Sequence, residues 1–599
     1  MTDNPVANTV PALLSQQARV RGAAPAIIDP DRRTISYADL YREVERFGAM
    51  LGEMGLGQGS RIAVALPSGP DAAIVILATM SWAVCAPLDP TLELATCRSL
   101  LASMRADALL ALQADDVPAV TAAEALGIRV VRLVAPPDRV AATLSIHVEG
   151  SAPRVAPTLP DASCLALLMH TSGTTMQPKI VPLTHAQLVA RARLNPLVSD
   201  DRGICGAPTF TSSAVESGLL VTLAAGASVV FATSSDPLSI TDYLERLQLT
   251  YLWASPAVHA AMLEAALNRK TVPKTFLRFL RSGSSALPAV LQENLEAAFG
   301  VPVMQGYGMT ETGVIARNPL PPETRRAGSA GKPLVQVRIA ASDGALLSQG
   351  SVGEIIVRGP GVMSGYEDAE VNRSAFRDGW FRTGDLGYFD EDGFLFLTGR
   401  LHETINRGGR QVSPMEIDVA LLGHAAVLEA AAFAVPHPSL GEDIAAAVVL
   451  RATGTATAQA LRDHAFAHLA PFKVPTTIVF VDSLPRNALG KVQRSALADT
   501  LREALRASFV PPRDADEELV AGLFAEVLGI ERVGALDNFF ELGGDSLSGT
   551  RVVARVNSAR GVDLPVVSLF ETPTVADFAT SVRDSRRAGP QTAAPTLRR

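Results

Sequence analysis

Up to about residue 400 the chain alternates short β-branched runs with Ala/Leu-rich stretches of helical length. RIAVALP (61–67), ASVVF (227–231) and GEIIVRG (353–359) are such runs. Strands that alternate with helices predict α/β layers around a largely parallel sheet. The most apolar stretch, Ala72 to Leu88, is short for a bilayer and is interrupted by Thr79, Ser81 and Pro87. It reads as a buried helix running into a strand. In the next segment, 403–505, AAAFAVP and AAAVVLRA read as strands and ATAQALRDHAFAHL as an amphipathic helix, a smaller α+β unit. Pro511 and Pro512 cannot continue a helix, so 506–513 reads as a stiff linker. Beyond it Leu519, Val520, Leu523, Phe524, Val527 and Leu528 recur at helical spacing, and 514–585 has the size of a small four-helix bundle. The remainder, 586–599, has almost no apolar content and is expected to be disordered.

Charge and cysteine usage narrow the function. With 61 acidic and 53 basic residues the net charge is −8, which argues against a general nucleic-acid binder. The first residues, MTDNPVANTV, lack the basic and apolar regions of a signal peptide. Cys85, Cys97, Cys164 and Cys205 form no CxxC pair. A cytoplasmic protein without a membrane partner or a structural zinc site is the expectation.

The segment CLALLMHTSGTTMQPKIVPLTH (164–185) leads an apolar strand into Thr171, Ser172, Gly173, Thr174 and Thr175, followed by Lys179. Hydroxyls, backbone amides and a glycine that permits close approach suit phosphate oxygens, and Lys179 adds positive charge. It is not a Walker A loop, because GxxxxGK[ST] is absent. Alone, such a segment also fits a surface turn. The ordered set of motifs that follows decides the matter.

TSGTTMQPK resembles the signature of the adenylate-forming superfamily, which includes acyl-CoA synthetases, peptide-synthetase adenylation domains and luciferases. QGYGMTETG (305–313), GWFRTGDLGYFDEDG (379–393), GRLHETINRGGRQVSPMEID (399–418) and PRNALGKVQR (485–494) follow in the family's order. The resemblance covers roughly residues 10–500. INRGG, SPMEID, NPLPPE and AGSAGKP look nearest to the oxalate–CoA ligase branch.

The resemblance implies a large core, 1–399, a hinge at 400–402 with His402 at its pivot, and a small C-terminal subdomain, 403–505. It implies that ATP binds at Thr171–Thr175, Lys179, Gly306, Tyr307, Thr310, Asp385 and Arg400. Thr310 would contact the α-phosphate, Glu311 would hold Mg²⁺ with phosphate oxygens, and Asp385 would accept from the ribose hydroxyls. Tyr307 would lie near the adenine and Arg400 near the ribose or phosphates. Lys491 would bridge the substrate carboxylate and the α-phosphate, as a mobile point charge suits charge developing in transfer. Met176 and Ile180 stand where the family usually has glycine, and Asn406 stands at a lysine position tied to the thioester step.

A second signal lies in DNFFELGGDSLSGTRVVARV (537–556). Ser546 opens a helix, where amides and dipole favour an anion, although serine is also a common helix cap. LGGDSL resembles the 4′-phosphopantetheine attachment site of carrier proteins, which implies a covalent arm on Ser546 and a phosphopantetheinyl transferase as partner. Residues 514–585 hold 13 acidic and 5 basic residues, a net charge that suits steering toward basic partners.

In amino-acid-activating relatives an aspartate holds the substrate ammonium in an FDxS-like stretch. Here the stretch is PTFTSSAVES, with Thr211 in the aspartate position. Burying an ammonium without a charged partner is expensive, so a substrate lacking a free α-amino group is expected. The oxalate branch usually has histidine at the positions of Thr211 and Val314, which disfavours oxalate itself. Thr211, Ser212, Val215, Val314 and Ile315 form the expected substrate pocket. The expected reaction is ATP-dependent activation of a small carboxylic acid and transfer to the chain's own carrier. A downstream condensation or tailoring enzyme would then act in trans. An acyl-CoA ligase with a vestigial carrier, or an amino-acid-activating didomain, are the alternatives.

Overall fold

The computed structural model describes residues 7–30, 34–113, 116–134, 145–147, 154–171, 179–231, 237–268, 276–283, 285, 287–437, 440–452, 455–486, 492–507, 510–530, 532–540, 542, 544 and 546–588. The chain divides into two compact units, Met1–Leu397 and Thr398–Arg599.

In the first unit the alternation builds two large sheets. One has seven strands, with parallel Arg61–Ala65, Val84–Pro87, Ala108–Leu112 and Leu165–Thr171 in its interior. The other has nine, with parallel Tyr251–Ala254, Arg202–Cys205 and Phe279–Ser282 at its centre. The stretch from Ala72 becomes helix Pro70–Trp82 followed by strand Val84–Pro87. That helix has no polar face to turn outward. It packs in one apolar cluster that joins Ile62 and Cys85 of the smaller sheet to Val229, Tyr251 and Met304 of the larger.

A third sheet was not anticipated. Gln336–Ala340, Gly353–Arg358, Phe376–Arg377 and Trp380–Phe389 pair antiparallel. The expectation of a largely parallel sheet therefore holds only for the two large sheets. Between 340 and 353, and between 377 and 380, the connections hold turns and no crossover helix, so neighbours must run antiparallel.

In the second unit Gly441–Leu450 lies between Val427–His437 and the short Ile405–Arg407, with Thr477–Phe480 added in parallel. Ile417, Leu421, Leu461 and Ala465 from helices Pro414–Leu422 and Ala458–His468 share an apolar cluster with Ile405, Ile444 and Val448 of that sheet. The C-terminal region has four helices among the described residues: Ala515–Leu528, Ser546–Arg560, Val567–Glu571 and Val575–Ala588. Phe524, Phe539, Val552, Val556, Leu569 and Phe578 form its core. Asp514 caps the first helix by accepting from the amides of Asp516 and Glu517 at 3.0 and 2.9 Å.

Two expected boundaries shift. Helix Arg502–Ala507 runs two residues into the expected linker. The last helix reaches Ala588, past the expected start of disorder at 586. Arg586 lies 3.9 Å from Asp516, and an arginine in a final turn complements the helix dipole. Residues 589–599 lie outside the described residues. Among the described residues no helix is long and apolar enough to cross a membrane.

Candidate active site

Strands Val303–Met309 and Gly313–Arg317 form a hairpin whose loop is Thr310, Glu311 and Thr312. Gly313 has φ +68°, which closes a three-residue loop where a side chain would be strained. A Cβ there would also stand 2.8 Å from Cδ of Arg191. Arg191, in helix His185–Ala192, is the buried anchor of this loop. Its guanidinium donates to the carbonyls of Thr310 (3.0 Å), Glu311 (2.9 Å) and Gly361 (2.6 Å), and to Oε2 of Glu216 at 2.6 Å. The sequence reading missed Arg191. Its signal is an arginine at the buried phase of a short amphipathic helix.

The side chain of Glu311 is buried, and its Oε1 accepts from the Tyr366 hydroxyl at 2.8 Å. Burial and the neighbouring carboxylate raise Tyr366 above the usual tyrosine range, so it stays a donor. Nζ of Lys179 lies 5.3 Å from the centre of the Tyr366 ring. Tyr366, also missed from sequence, thus links two expected nucleotide ligands. Thr171 and Lys179 are cross-strand partners, so the ends of the expected phosphate loop are fixed to each other. Ser172, Gly173, Thr174, Thr175 and Met176 lie outside the described residues. Ile180, at a family glycine position, is buried in the cluster of Ala63, Leu101 and Leu168 and serves as core.

Asp385 sits in strand Trp380–Phe389 beside a register shift against Gly353–Arg358. Gly384 there has φ +72°, a bulge that re-aims the next side chain. Glu354 fixes the bulge: it accepts from Arg382 at 2.7 Å and from the Gly384 amide at 3.2 Å. Asp385 is buried and accepts from the Tyr307 hydroxyl at 2.6 Å. The structure therefore brings Tyr307 and Asp385 together. Gly306 begins the same strand segment, opposite Arg317.

The expected substrate pocket lies at the start of a π-helix, Ser213–Leu220. Such helices recur at functional sites. The Thr211 hydroxyl caps this turn, accepting from Ala214 at 3.2 Å and donating to the Pro208 carbonyl at 2.8 Å. Ser212 Oγ is 3.2 Å from Thr310 Oγ1, which joins the pocket to the phosphate side. Val314 is partly exposed. Val215 and Ile315 are 1% and 0% exposed and pack in the core. They back the wall and offer a ligand no surface, because their side chains point to the interior phase of their elements.

Five further residues singled out from the sequence belong to the second unit. Arg400 and His402 are exposed beside a 3₁₀ turn, Leu401–Glu403. Asn406 is exposed; its amide donates to Glu442 at 2.7 Å and its Oδ1 accepts from the Gly409 amide at 3.0 Å. Lys491 lies outside the described residues. Ser546 is exposed and is the first residue of helix Ser546–Arg560, with its neighbour Leu547 76% exposed.

These groups fit the expected ligands. Glu311 is a single carboxylate that a protein hydroxyl already orients, so a Mg²⁺ there would take most of its shell from phosphates and water. Buried Asp385 with Tyr307 suits a ribose and a base edge. An accessible hydroxyl at a helix N-terminus suits a phosphodiester.

Comparison with known proteins follows the same lines. Residues 14–367 match the AMP-binding enzyme family, 416–491 the AMP-binding enzyme C-terminal domain, and 518–582 the phosphopantetheine attachment site family. The oxalate–CoA ligase of Arabidopsis thaliana is 35% identical over 497 residues, covering 79% of this chain and 96% of its own. The sulfoacetate–CoA ligase of Cupriavidus necator is 35% identical over 506 residues, covering 83% and 98%. The ATP-bound MatB structure from Rhodopseudomonas palustris superposes with a TM-score of 0.75 at 30% identity, covering 83% of this chain and 99% of that one.

Proposed function

As a member of the AMP-binding enzyme family with a phosphopantetheine carrier domain, the chain is an adenylate-forming acid–thiol ligase, and we propose that it loads an acid lacking a free α-amino group onto its own Ser546. One observation carries the loading role: an exposed serine opening a carrier helix is part of the same chain as the adenylating site. A tethered thiol reaches a high effective concentration at a site it can span, which free thiols match only at high levels.

The chemistry divides among this chain's residues. A carboxylate oxygen attacks the α-phosphorus of ATP, the bond to the β-phosphate breaks, and pyrophosphate leaves. Thr310 and the loop 171–175 bind the phosphates, with Lys179 adding positive charge. Glu311 would hold Mg²⁺, whose charge would offset that of the phosphates. Asp385, Tyr307 and Arg400 bind the nucleoside, and Lys491 supplies positive charge at the α-phosphate and the acid. Ser546 would hold the phosphopantetheine arm, which would supply the thiol that accepts the acyl group as AMP is released. His402 in 400–402 is the proposed hinge between 1–399 and 403–505, and 506–513 tethers the carrier 514–585.

Two features support an acid without an α-amine. Thr211 stands where an ammonium-binding carboxylate would be, and its hydroxyl is engaged in capping. Glu216, the nearby carboxylate, is paired with Arg191 at 2.6 Å. The relatives named for oxalate and sulfoacetate act on acids of this kind. Those same names favour a second reading, ligation to free coenzyme A.

Intact-mass analysis of the phosphopantetheinylated protein with ATP and an acid panel tests the proposal. An acyl mass on Ser546 is expected. Acid-dependent pyrophosphate exchange without any acyl mass overturns self-loading. Full-rate acyl-CoA formation by Ser546→Ala favours the coenzyme A reading.

A further inference from the structure

Two arginines near the expected pocket, Arg281 buried and Arg317 half-buried, have no counter-ion among the described residues. Arg281 lies on strand Phe279–Ser282 in a row of register partners, Cys205, Trp253, Arg281 and Met304. The other three belong to the apolar core, and Arg281 itself is 5% exposed. Among the described residues it makes no ion pair. Its single side-chain hydrogen bond is a long one, 3.4 Å from Nη2 to the hydroxyl of Ser217. Ser217 lies on the π-helix that starts at Ser213, next to Thr211 and Ser212.

Among the described residues no neighbour supplies the missing charge. Tyr251 and Cys205 are the ionisable groups that favour the Arg281 cation, and both are neutral. Burial pushes the Cys205 thiol up to about 12 and Tyr251 above the usual range, and the Tyr251 hydroxyl is already engaged with Thr222. Desolvation lowers Arg281 from its ordinary value. A further charge that interacts with Arg281 is another cation. Arg317, on the neighbouring hairpin strand, is lowered to about 10 by burial and then by Arg281. Its side chain runs beside Gly306, and its Nη1 donates only to the Leu194 carbonyl, at 2.9 Å. Arg191, by contrast, has Glu216. A guanidinium taken from water without an anion is costly, and two within reach of each other are costlier.

We propose that the acid activated here carries a second anionic group, a carboxylate or a sulfonate, which binds at Arg281 with Arg317 beside it. The inference rests on the adenylation reading above and adds the substrate class. The reacting carboxylate points toward Thr310, which Ser212 already touches, while the second anion reaches the strand floor by Ser217. A guanidinium fork matches either oxyanion in bidentate geometry. A monocarboxylic acid of the same length would bring no second anion to these cations, so the site selects against it.

Pyrophosphate exchange with chain-matched pairs tests this: monocarboxylic acids of two to six carbons against the corresponding dicarboxylic and sulfocarboxylic acids. The wild type is expected to favour dianionic members by ~10-fold or more in kcat/KM. Comparing the dicarboxylic and sulfocarboxylic arms shows which oxyanion fits. Arg281→Met is expected to raise KM for the favoured diacid with little change in kcat, and to bring the matched monoacid level with it. Arg281→Lys restores part of the preference. Equal use of monoacids by the wild type overturns the inference, as does an unchanged preference in a folded Arg281→Met. Should Arg281→Met fail to fold, the wild-type panel and Arg317→Met decide on the same criteria. Exchange with no acid at all overturns the adenylation reading itself.

Discussion

Arg191 donates Nη1 to Glu216 at 2.6 Å while the same guanidinium holds the carbonyls of Thr310 and Glu311, so the pocket helix and the phosphate-side loop share one buried clamp. Removing one partner of a buried pair leaves an uncompensated charge and costs about 3–5 kcal/mol. Arg191→Met is therefore expected to lower the melting temperature and to reduce kcat. Glu216→Gln keeps a hydrogen-bond acceptor and should hold the loop better. Thermal unfolding and pyrophosphate exchange on both variants check this. Equal losses of kcat in the two would mean that the ion pair, and not the carbonyl contacts, sets the loop.

Tyr366→Phe removes the hydroxyl that orients Glu311 and leaves a buried carboxylate oxygen short of a donor. Hydrogen bonds to charged groups contribute about 1.5–3 kcal/mol. The expected result is a higher half-saturating Mg²⁺ concentration, by ~10-fold or more, with KM for the acid nearly unchanged. Titrating Mg²⁺ at fixed ATP in the exchange assay reads it. A rise confined to the acid KM would place Tyr366 on the substrate side instead.

What the sequence made legible follows from how the site is strung along the chain. Thr310 and Glu311 are adjacent in one hairpin loop, and Asp385 sits in one short bulge, so each is carried by a contiguous motif. Arg191 is more than a hundred residues from the loop it holds, and Tyr366 more than fifty from Glu311, so nothing local marks either. Val215 and Ile315 lie beside pocket residues in sequence, yet the alternation of their elements turns them into the core. The π-helix escaped for a similar reason. An apolar run such as SAVESGLL carries no sign of i→i+5 bonding, and Gly218 fits there because a Cβ would meet the sulfur of Cys205 at 2.6 Å. The parallel core was legible because most strands there are followed by a helix. The sheet from 336 to 389 was not, because turns join 340 to 353 and 377 to 380, and its one intervening helix, Ala369–Ala375, is short and buries no residue.

Tyr307→Phe isolates the nucleoside end of the site. The hydroxyl donates to Asp385 at 2.6 Å, and its loss frees a carboxylate that a ribose hydroxyl also needs. Binding of AMP, measured by calorimetry, is expected to weaken by ~5–10-fold, about 1 kcal/mol. Asp385→Asn, which removes the charge as well, should weaken it further. An unchanged affinity in both variants would remove Asp385 from the nucleoside site.

Two buried histidines set an acid limit on stability. Burial lowers His185 and His259 from 6.5 to about 4. His185 Nδ1 accepts from the Val10 amide at 3.3 Å, so its neutral form is the one the fold uses. His259 Nε2 donates to the Arg281 carbonyl at 3.1 Å, in a core position with no exposure. For each, the unfolded chain takes up a proton near pH 6.5 and the folded protein only near pH 4. The stability of the neutral form is present above 6.5 and is lost as pH falls toward 4, on the order of 3 kcal/mol for each residue. The melting temperature should fall over that window, and His259→Leu should flatten the slope while leaving the rest of the curve in place. Carboxylates that titrate at lower pH contribute equally to both proteins, so the difference between the two curves belongs to His259. Parallel curves between pH 6.5 and 4 would mean that the His259 ring is already protonated in the folded state, against a site in which Arg281 is also buried.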